Sequence, residues 1–135
     1  MDSYAEKCFE NLSGFDKKCF KMAEFFIKKY FTYAKRYEKE HTSYNLKHQC
    51  EHFFRVCKHI GIKFDFENTC YVSNVAFQAA MKSLWYTGKP EYKGSVNEVY
   101  KYKYIGPKLW NGFRYHTPMT EEDCRKVLDV HYGCR

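Results

Sequence analysis

The sequence contains no run of about 18 consecutive apolar residues, so it predicts no transmembrane helix. The first ten residues, MDSYAEKCFE, carry acids where a secretion signal would carry basic residues followed by an apolar run. The seven cysteines are an odd number, and no Cys-x-x-Cys occurs, which argues against a disulfide framework. We therefore predict an intracellular rather than a secreted protein.

Motifs of the common enzyme classes are also missing. Gly88-Lys89 lacks the rest of a phosphate-binding loop, and neither Gly-x-Ser-x-Gly nor His-Glu-x-x-His occurs. A cysteine nucleophile with a histidine partner can be drawn for almost any pair here, so such a pair carries no information. We predict a protein that is not an enzyme and has no catalytic residues.

What the sequence does contain is a large apolar and aromatic fraction with a positive charge. Its 135 residues suit a single domain over residues 1–135, and 44% hydrophobic and 20% aromatic residues can build a substantial core. The formal net charge is +7, and the excess of basic residues lies in residues 1–60 and 86–116 rather than in a tail. Such a charge serves solubility or an anionic partner.

Hydrophobic periodicity predicts helices in the first half of the chain. Residues 2–12 form a short helix, and residues 15–37 a long one that continues to about residue 40. A third helix, capped by Thr42 or Ser43, covers residues 44–60, and a fourth, capped by Ser73 or Asn74, runs to about residue 85. On the third helix one side carries Leu46, Cys50, Phe53, Phe54, Cys57 and Ile60, and the opposite side carries His48, His52, Arg55 and His59.

Alternating patterns predict strands between and after these helices. Residues 62–67 form a short strand, and residues 96–105 a second one with its tyrosines on one face and with Lys101 and Lys103 on the other. Residues 109–116 form a further strand or an ordered loop, and Thr120 caps a last helix. The predicted fold is α+β: an N-terminal helical layer of three to four helices, a small antiparallel sheet and a C-terminal helix.

Cysteine and histidine leave two interpretations open. Zinc prefers four sulfur or nitrogen ligands, and the candidate set is Cys70, Cys124, His131 and Cys134, with His131-x-x-Cys134 as the closest pair. The alternative is a set of buried free thiols with a solvated histidine stripe, and this is the interpretation we prefer. The predicted cofactor is accordingly none, or one structural zinc.

A stretch rich in tyrosine and lysine, residues 86–116, is the predicted contact surface. Interleaved cations and rings are typical of single-stranded nucleic-acid binding, and equally of a strand whose tyrosines face a core. Exposed Tyr, Trp and Arg also suit protein interfaces, the partner being another protein or a second copy of this chain. The candidate contact residues are Lys101, Lys103, Lys108, Trp110, Arg114 and Tyr115.

The cysteines and histidines that would carry a family likeness are Cys50, Cys57, His59, Cys70, Cys124, His131 and Cys134. In composition the chain resembles small structural proteins of large insect DNA viruses, baculoviruses among them, some of which resemble RING- or U-box-like zinc modules. The likeness implies a virion or nucleocapsid assembly component acting through protein–protein contacts, and a place inside a virus particle. The alternatives are a basic nucleic-acid-binding protein and a zinc-stabilised Cys/His module.

Overall fold

The computed structural model describes residues 2–106 together with residues 122 and 125. In chain order the elements are α1 (Ser3–Glu10), α2 (Gly14–Tyr30), β1 (Phe31–Glu38), α3 (Ser43–His59), α4 (Asn74–Ser83), β2 (Gly88–Pro90) and β3 (Glu98–Tyr104). The fold is α+β, as predicted, with a three-stranded antiparallel sheet in the order β1-β3-β2. The predicted strand or loop at residues 109–116 lies outside the described residues. Of the last predicted helix, the structure describes Glu122 and Arg125, and both are helical.

Short polar side chains begin these helices. The side chains of Asp2, Ser13 and Ser73 each accept a hydrogen bond from a backbone N–H in the first turn of α1, α2 and α4. At the start of α3 the backbone N–H of Thr42 donates to the side-chain oxygen of Asn45 over 3.0 Å. The predicted N-cap positions Thr42 and Ser73 are therefore confirmed. The hydroxyl of Ser73 satisfies a backbone N–H of the first turn, whereas at Thr42 the side chain of Asn45 satisfies the N–H of the cap residue itself.

The predicted continuation of the second helix to about residue 40 is wrong. The helix ends at Tyr30, and residues 31–38 form β1. Phe31 lies opposite Tyr104 in the antiparallel ladder, and the N–H of Ile105 donates to the carbonyl of Tyr30 over 2.7 Å. The rings of this segment fit both a helical and a strand period, so the distant strand β3 decides between the two.

The strand predicted at residues 62–67 is also wrong, because this segment pairs with none of the three described strands. Its alternation instead reflects burial. The rings of Phe64 and Phe66 stack on each other with centroids 5.1 Å apart, and Phe64 meets the ring of Phe25 on α2 edge-on at 5.1 Å. Both phenylalanines cover the helical core without a backbone ladder, so period-2 spacing alone was insufficient evidence for a strand.

One hydrophobic core connects the helices with the inner face of the sheet. Cys50, Cys57, Phe53 and Phe54 on α3 are fully buried, which confirms the predicted inward side of this helix. The outward side is confirmed only in part, since two of its histidines are half-buried. The largest fully buried side chains are Phe20, Met22, Phe26, Ile27, Tyr30, Leu46, Phe53, Phe54, Phe77, Met81 and Tyr100.

Candidate anion-binding face of the sheet

The central strand β3 divides aromatic from basic side chains. Tyr100 and Tyr102 are 1% and 4% exposed and pack against the core. Lys101 and Lys103 alternate with these tyrosines and therefore lie on the opposite face, where Lys103 is exposed and Lys101 half-buried. Lys89 on β2 lies directly opposite Val99 and so shares their face. The predicted separation of tyrosine from lysine along this strand is confirmed.

An irregularity in β1 brings a ring onto the same face. Tyr33 pairs with Tyr102 but Glu38 pairs with Tyr100, so β1 carries extra, unpaired residues between these two positions. Such a bulge re-aims side chains. Here it places the ring of Tyr37 against the lysines.

The contacts of Tyr37 are with two ammonium groups. The Nζ atoms of Lys89 and Lys101 lie 4.3 Å and 5.1 Å from the centroid of its ring. Both distances are within the range of a cation–π interaction. We call the surface made by Tyr37, Lys89, Lys101 and Lys103 the outer face of the sheet.

The lysines of the outer face have no ion-pair partner among the described residues. Within residues 2–106, the ion pairs involve other lysines and two histidines, and none joins a carboxylate to Lys89, Lys101 or Lys103. Two exposed basic residues, Lys35 and Arg36, lie in the bulge of β1. Like charges held together raise the local positive potential, and a bound anion relieves their repulsion.

The predicted contact residues are only partly placed by the structure. Lys101 and Lys103 lie together on the outer face. The others, Lys108, Trp110, Arg114 and Tyr115, lie outside the described residues. Tyr37 and Lys89 were missed, because their position depends on the bulge in β1 and on the pairing of β2 with β3, neither of which has a clear sequence signal.

Of the predicted zinc ligands, Cys70 alone belongs to the described residues; Cys124, His131 and Cys134 lie outside them. Cys70 is half-buried and has a left-handed backbone, with its N–H donating to the side-chain oxygen of Asn68 over 2.9 Å. A structural zinc stays a prediction. Metal analysis of the purified protein tests it: about one zinc per chain, lost in Cys→Ser variants, is the expected result for a zinc module.

A different group could hold a metal ion in the described part of the chain. Ligand atoms of Glu38, Glu40 and His41 all lie within 4.8 Å of one another. However, the Glu38 carboxylate already accepts hydrogen bonds from the N–H groups of Glu40 and His41 and from the hydroxyl of Tyr102. These bonds explain the geometry of the turn without a metal ion.

The buried thiols have the character of core residues. Burial, followed by the charge of Glu51, raises the pKa of the Cys50 thiol well above its ordinary value. Burial also raises the pKa of Cys19, whose sulfur donates to the carbonyl of Tyr71 over 3.3 Å. Thiols with raised pKa values are protonated at neutral pH, which is typical of core residues rather than of activated nucleophiles.

A buried charged network on α3 was missed by sequence reasoning. Lys47 and Glu51 are nearly enclosed, with their charged atoms 3.2 Å apart. The second oxygen of Glu51 lies 2.8 Å from Nδ1 of His48, and the backbone N–H of Val72 donates to Glu51 over 3.0 Å. The signal available was the i,i+4 spacing of Lys47 and Glu51, which also fits an exposed pair.

Comparison with known proteins adds no family. No family model, curated protein or solved structure matches this chain. None of the helices in the described part of the chain has both the length and the apolar character to cross a lipid bilayer. The outer face is therefore interpreted from its own chemistry.

Proposed function

We propose that this chain is a non-enzymatic binding protein that contacts nucleic acid through the outer face of its sheet. The observation that supports this is the meeting of two ammonium groups, Lys89 and Lys101, on the ring of Tyr37. No carboxylate among the described residues pairs with either lysine. Cations gathered without a counter-charge favour a polyanion, and a phosphate backbone presents negative charge at regular spacing.

The ring distinguishes this surface from a purely basic one. Proteins that bind nucleic acid strands without sequence preference combine cations for the phosphates with aromatic rings for the bases. The outer face has both on a rigid sheet, because the lysines come from paired strands and the ring is fixed against them. A rigid surface loses little conformational freedom when it binds.

The experiment is a salt titration of binding to a fluorescent oligonucleotide. Each phosphate contact on a single strand contributes about 0.7 to the slope of log affinity against log salt concentration. We expect the double variant K101A/K103A to bind more weakly and to lower this slope by about 1.4 between about 50 and 200 mM salt. Fluorescence anisotropy gives both quantities.

A matched control removes the same charge from another part of the molecule. Lys58 at the end of α3 and Lys63 in the following loop are both exposed and do not belong to the sheet. The K58A/K63A variant has the same net charge as K101A/K103A. If the two variants lose affinity equally, binding follows net charge alone and the outer face is not the site.

A second candidate function is assembly with other proteins, the first function predicted from the sequence. It is favoured by half-exposed rings on the helical side: Phe15 and Tyr71 stack at 5.6 Å and are 48% and 46% exposed. Tyr44, 44% exposed, lies near them, since Lys47 contacts the rings of both Tyr44 and Tyr71. Rings of this kind are enriched at interface hot spots.

Sedimentation over a range of concentrations tests the assembly proposal, with Y71A as the variant. A monomer at all concentrations that captures no protein partner would contradict it. A nucleocapsid assembly role, as the resemblance implies, would combine the two proposals, with the outer face on nucleic acid and the rings of Phe15, Tyr44 and Tyr71 on protein.

A further inference from the structure

Helix α4 ends with a backbone motif that is occupied by an unusual residue. The N–H of Trp85 donates to the carbonyl of Lys82 over 3.0 Å, and the N–H of Tyr86 donates to the carbonyl of Met81 over 3.1 Å. This pair of bonds is a Schellman motif with Leu84 as the C-cap. Trp85 therefore stands at the position that is usually glycine, and its φ is +67°.

A tryptophan in this conformation is unfavourable for the backbone. The left-handed region brings the Cβ atom too close to the following carbonyl oxygen, a clash that glycine avoids. The side chain also buries little of itself, since Trp85 is 64% exposed and its ring rests on Tyr4 at 4.2 Å in a stacked arrangement. A strained residue with an exposed aromatic ring points to a contact outside the fold.

The surroundings of this ring suit a nucleic acid strand. Trp85 lies four residues before Lys89 of the outer face, which limits the distance between their Cα atoms to about 14 Å. Lys82 on the last turn of α4 is exposed. Tyr33 is 62% exposed but shares the inner face of the sheet with its cross-strand partner Tyr102. The chain runs from Trp85 into β2, the edge strand that carries Lys89, so a nucleic acid strand that crosses this edge can contact both residues.

We infer that the stacked pair of Trp85 and Tyr4 is a base-binding platform for single-stranded nucleic acid whose phosphates lie on the outer face. This rests on the proposed function and names the form of nucleic acid. Bases in a duplex are paired and stacked on one another, so only an unpaired strand can place a base on an exposed ring. An oligonucleotide should therefore bind more tightly as a single strand than as a duplex of the same length.

The test uses W85G, because glycine is the residue that the backbone prefers at this position. We expect this variant to be at least as stable as the parent in urea, while its affinity for an oligothymidine of about 20 nucleotides falls roughly 5- to 150-fold. Affinity for the matching duplex should be little changed. If W85G is as stable as the parent but no longer binds the single strand, the lost affinity comes from the missing ring and not from misfolding.

Fluorescence supplies an independent readout. The sequence has two tryptophans, so a W110F background leaves the signal of Trp85 alone. Stacking of a base on this ring should quench its fluorescence on titration with oligothymidine. The control V75A removes another apolar side chain of α4, 57% exposed, and should keep the parent affinity.

Failure of this inference differs from failure of the proposed function. If K101A/K103A weakens binding but W85G binds the single strand as well as the parent does, the base-binding platform is wrong and the outer face is still the nucleic-acid site. If neither the single strand nor the duplex binds the parent protein, the platform and the proposed function are both wrong. If W85G instead abolishes self-association and leaves oligonucleotide binding unchanged, Trp85 belongs to a protein interface and the inference is overturned.

Discussion

Neutralising Glu51 should destabilise this protein strongly, because Lys47 would then be a buried ammonium without a counter-charge. The two side chains are 4% and 7% exposed, and their charged atoms lie 3.2 Å apart. Breaking such a buried pair by removing one partner costs about 3–5 kcal/mol. The substitution Glu51→Gln keeps the size of the side chain and an oxygen for the N–H of Val72, so the charge is the main change.

Two aromatic rings near Lys47 reduce the loss of stability expected for E51Q. The ammonium of Lys47 lies 5.3 Å from the ring of Tyr44 and 4.8 Å from that of Tyr71, and these contacts remain in E51Q. At about 0.5–1 kcal/mol each, they leave a net loss of stability of roughly 1–4 kcal/mol. With a urea m-value of about 2 kcal/mol/M, the unfolding midpoint should fall by about 0.5–2 M at unchanged m, as measured by circular dichroism.

The control is an ion pair that is shorter but exposed. Lys18 and Glu67 lie 2.7 Å apart with side chains 49% and 59% exposed, and E67Q should cost less than about 1 kcal/mol because water screens the charges. The double variant K47M/E51Q should recover much of the stability lost in E51Q, since no buried charge is then unpaired. The reasoning is refuted if E51Q and E67Q unfold at the same urea concentration, or if the double variant is no more stable than E51Q.

Two further predictions concern pH and packing. Burial, followed by the charge of Lys47, lowers the pKa of His48, so the unfolded chain takes up a proton near the ordinary value of 6.5 before the folded chain does. The free energy of unfolding should therefore fall as the pH drops from about 7 to about 5. In H48Q the urea midpoint should depend less on pH in this range, and parallel curves for H48Q and the parent would contradict this prediction. A Cβ atom at Gly88 would lie 2.7 Å from the buried ring of Tyr100, so G88A should cost about 1–3 kcal/mol in thermal unfolding, whereas G14A, with open space around it, should cost nothing. A G88A protein as stable as the parent would show that β2 does not pack closely on this ring.

Local patterns predicted those parts of the fold in which the apolar residues follow one period, either helical or strand-like. On α3 the apolar side chains recur at helical spacing, and Cys50 and Cys57 are buried as expected. On β3 the tyrosines and lysines alternate, and this was enough to place Lys101 and Lys103 on one face before any partner strand was known. Both predictions use only the geometry of one element and the preference of apolar groups for the interior.

Other features could not be predicted from local patterns because they depend on residues that are distant in the chain. Residues 31–38 fit two periods, and pairing with β3 makes them a strand. The i,i+4 spacing of Lys47 and Glu51 is the same for an exposed and a buried pair, and packing of the segment around Val72 encloses them. The burial of a charge is a property of the assembled layers, which no single segment contains.

The sequence by itself determined that Cys50, Phe53, Phe54 and Cys57 of α3 and Tyr100 and Tyr102 of β3 turn inward, because helical and strand periods act over a few residues and apolar groups avoid water. The tertiary structure decided where β1 begins, how Tyr37 meets Lys89 and Lys101, and that Trp85 adopts a left-handed backbone at the end of α4. Those arrangements arise only when strands and helices far apart in the chain pack together, since the pairing and packing that hold them are not present in any local segment.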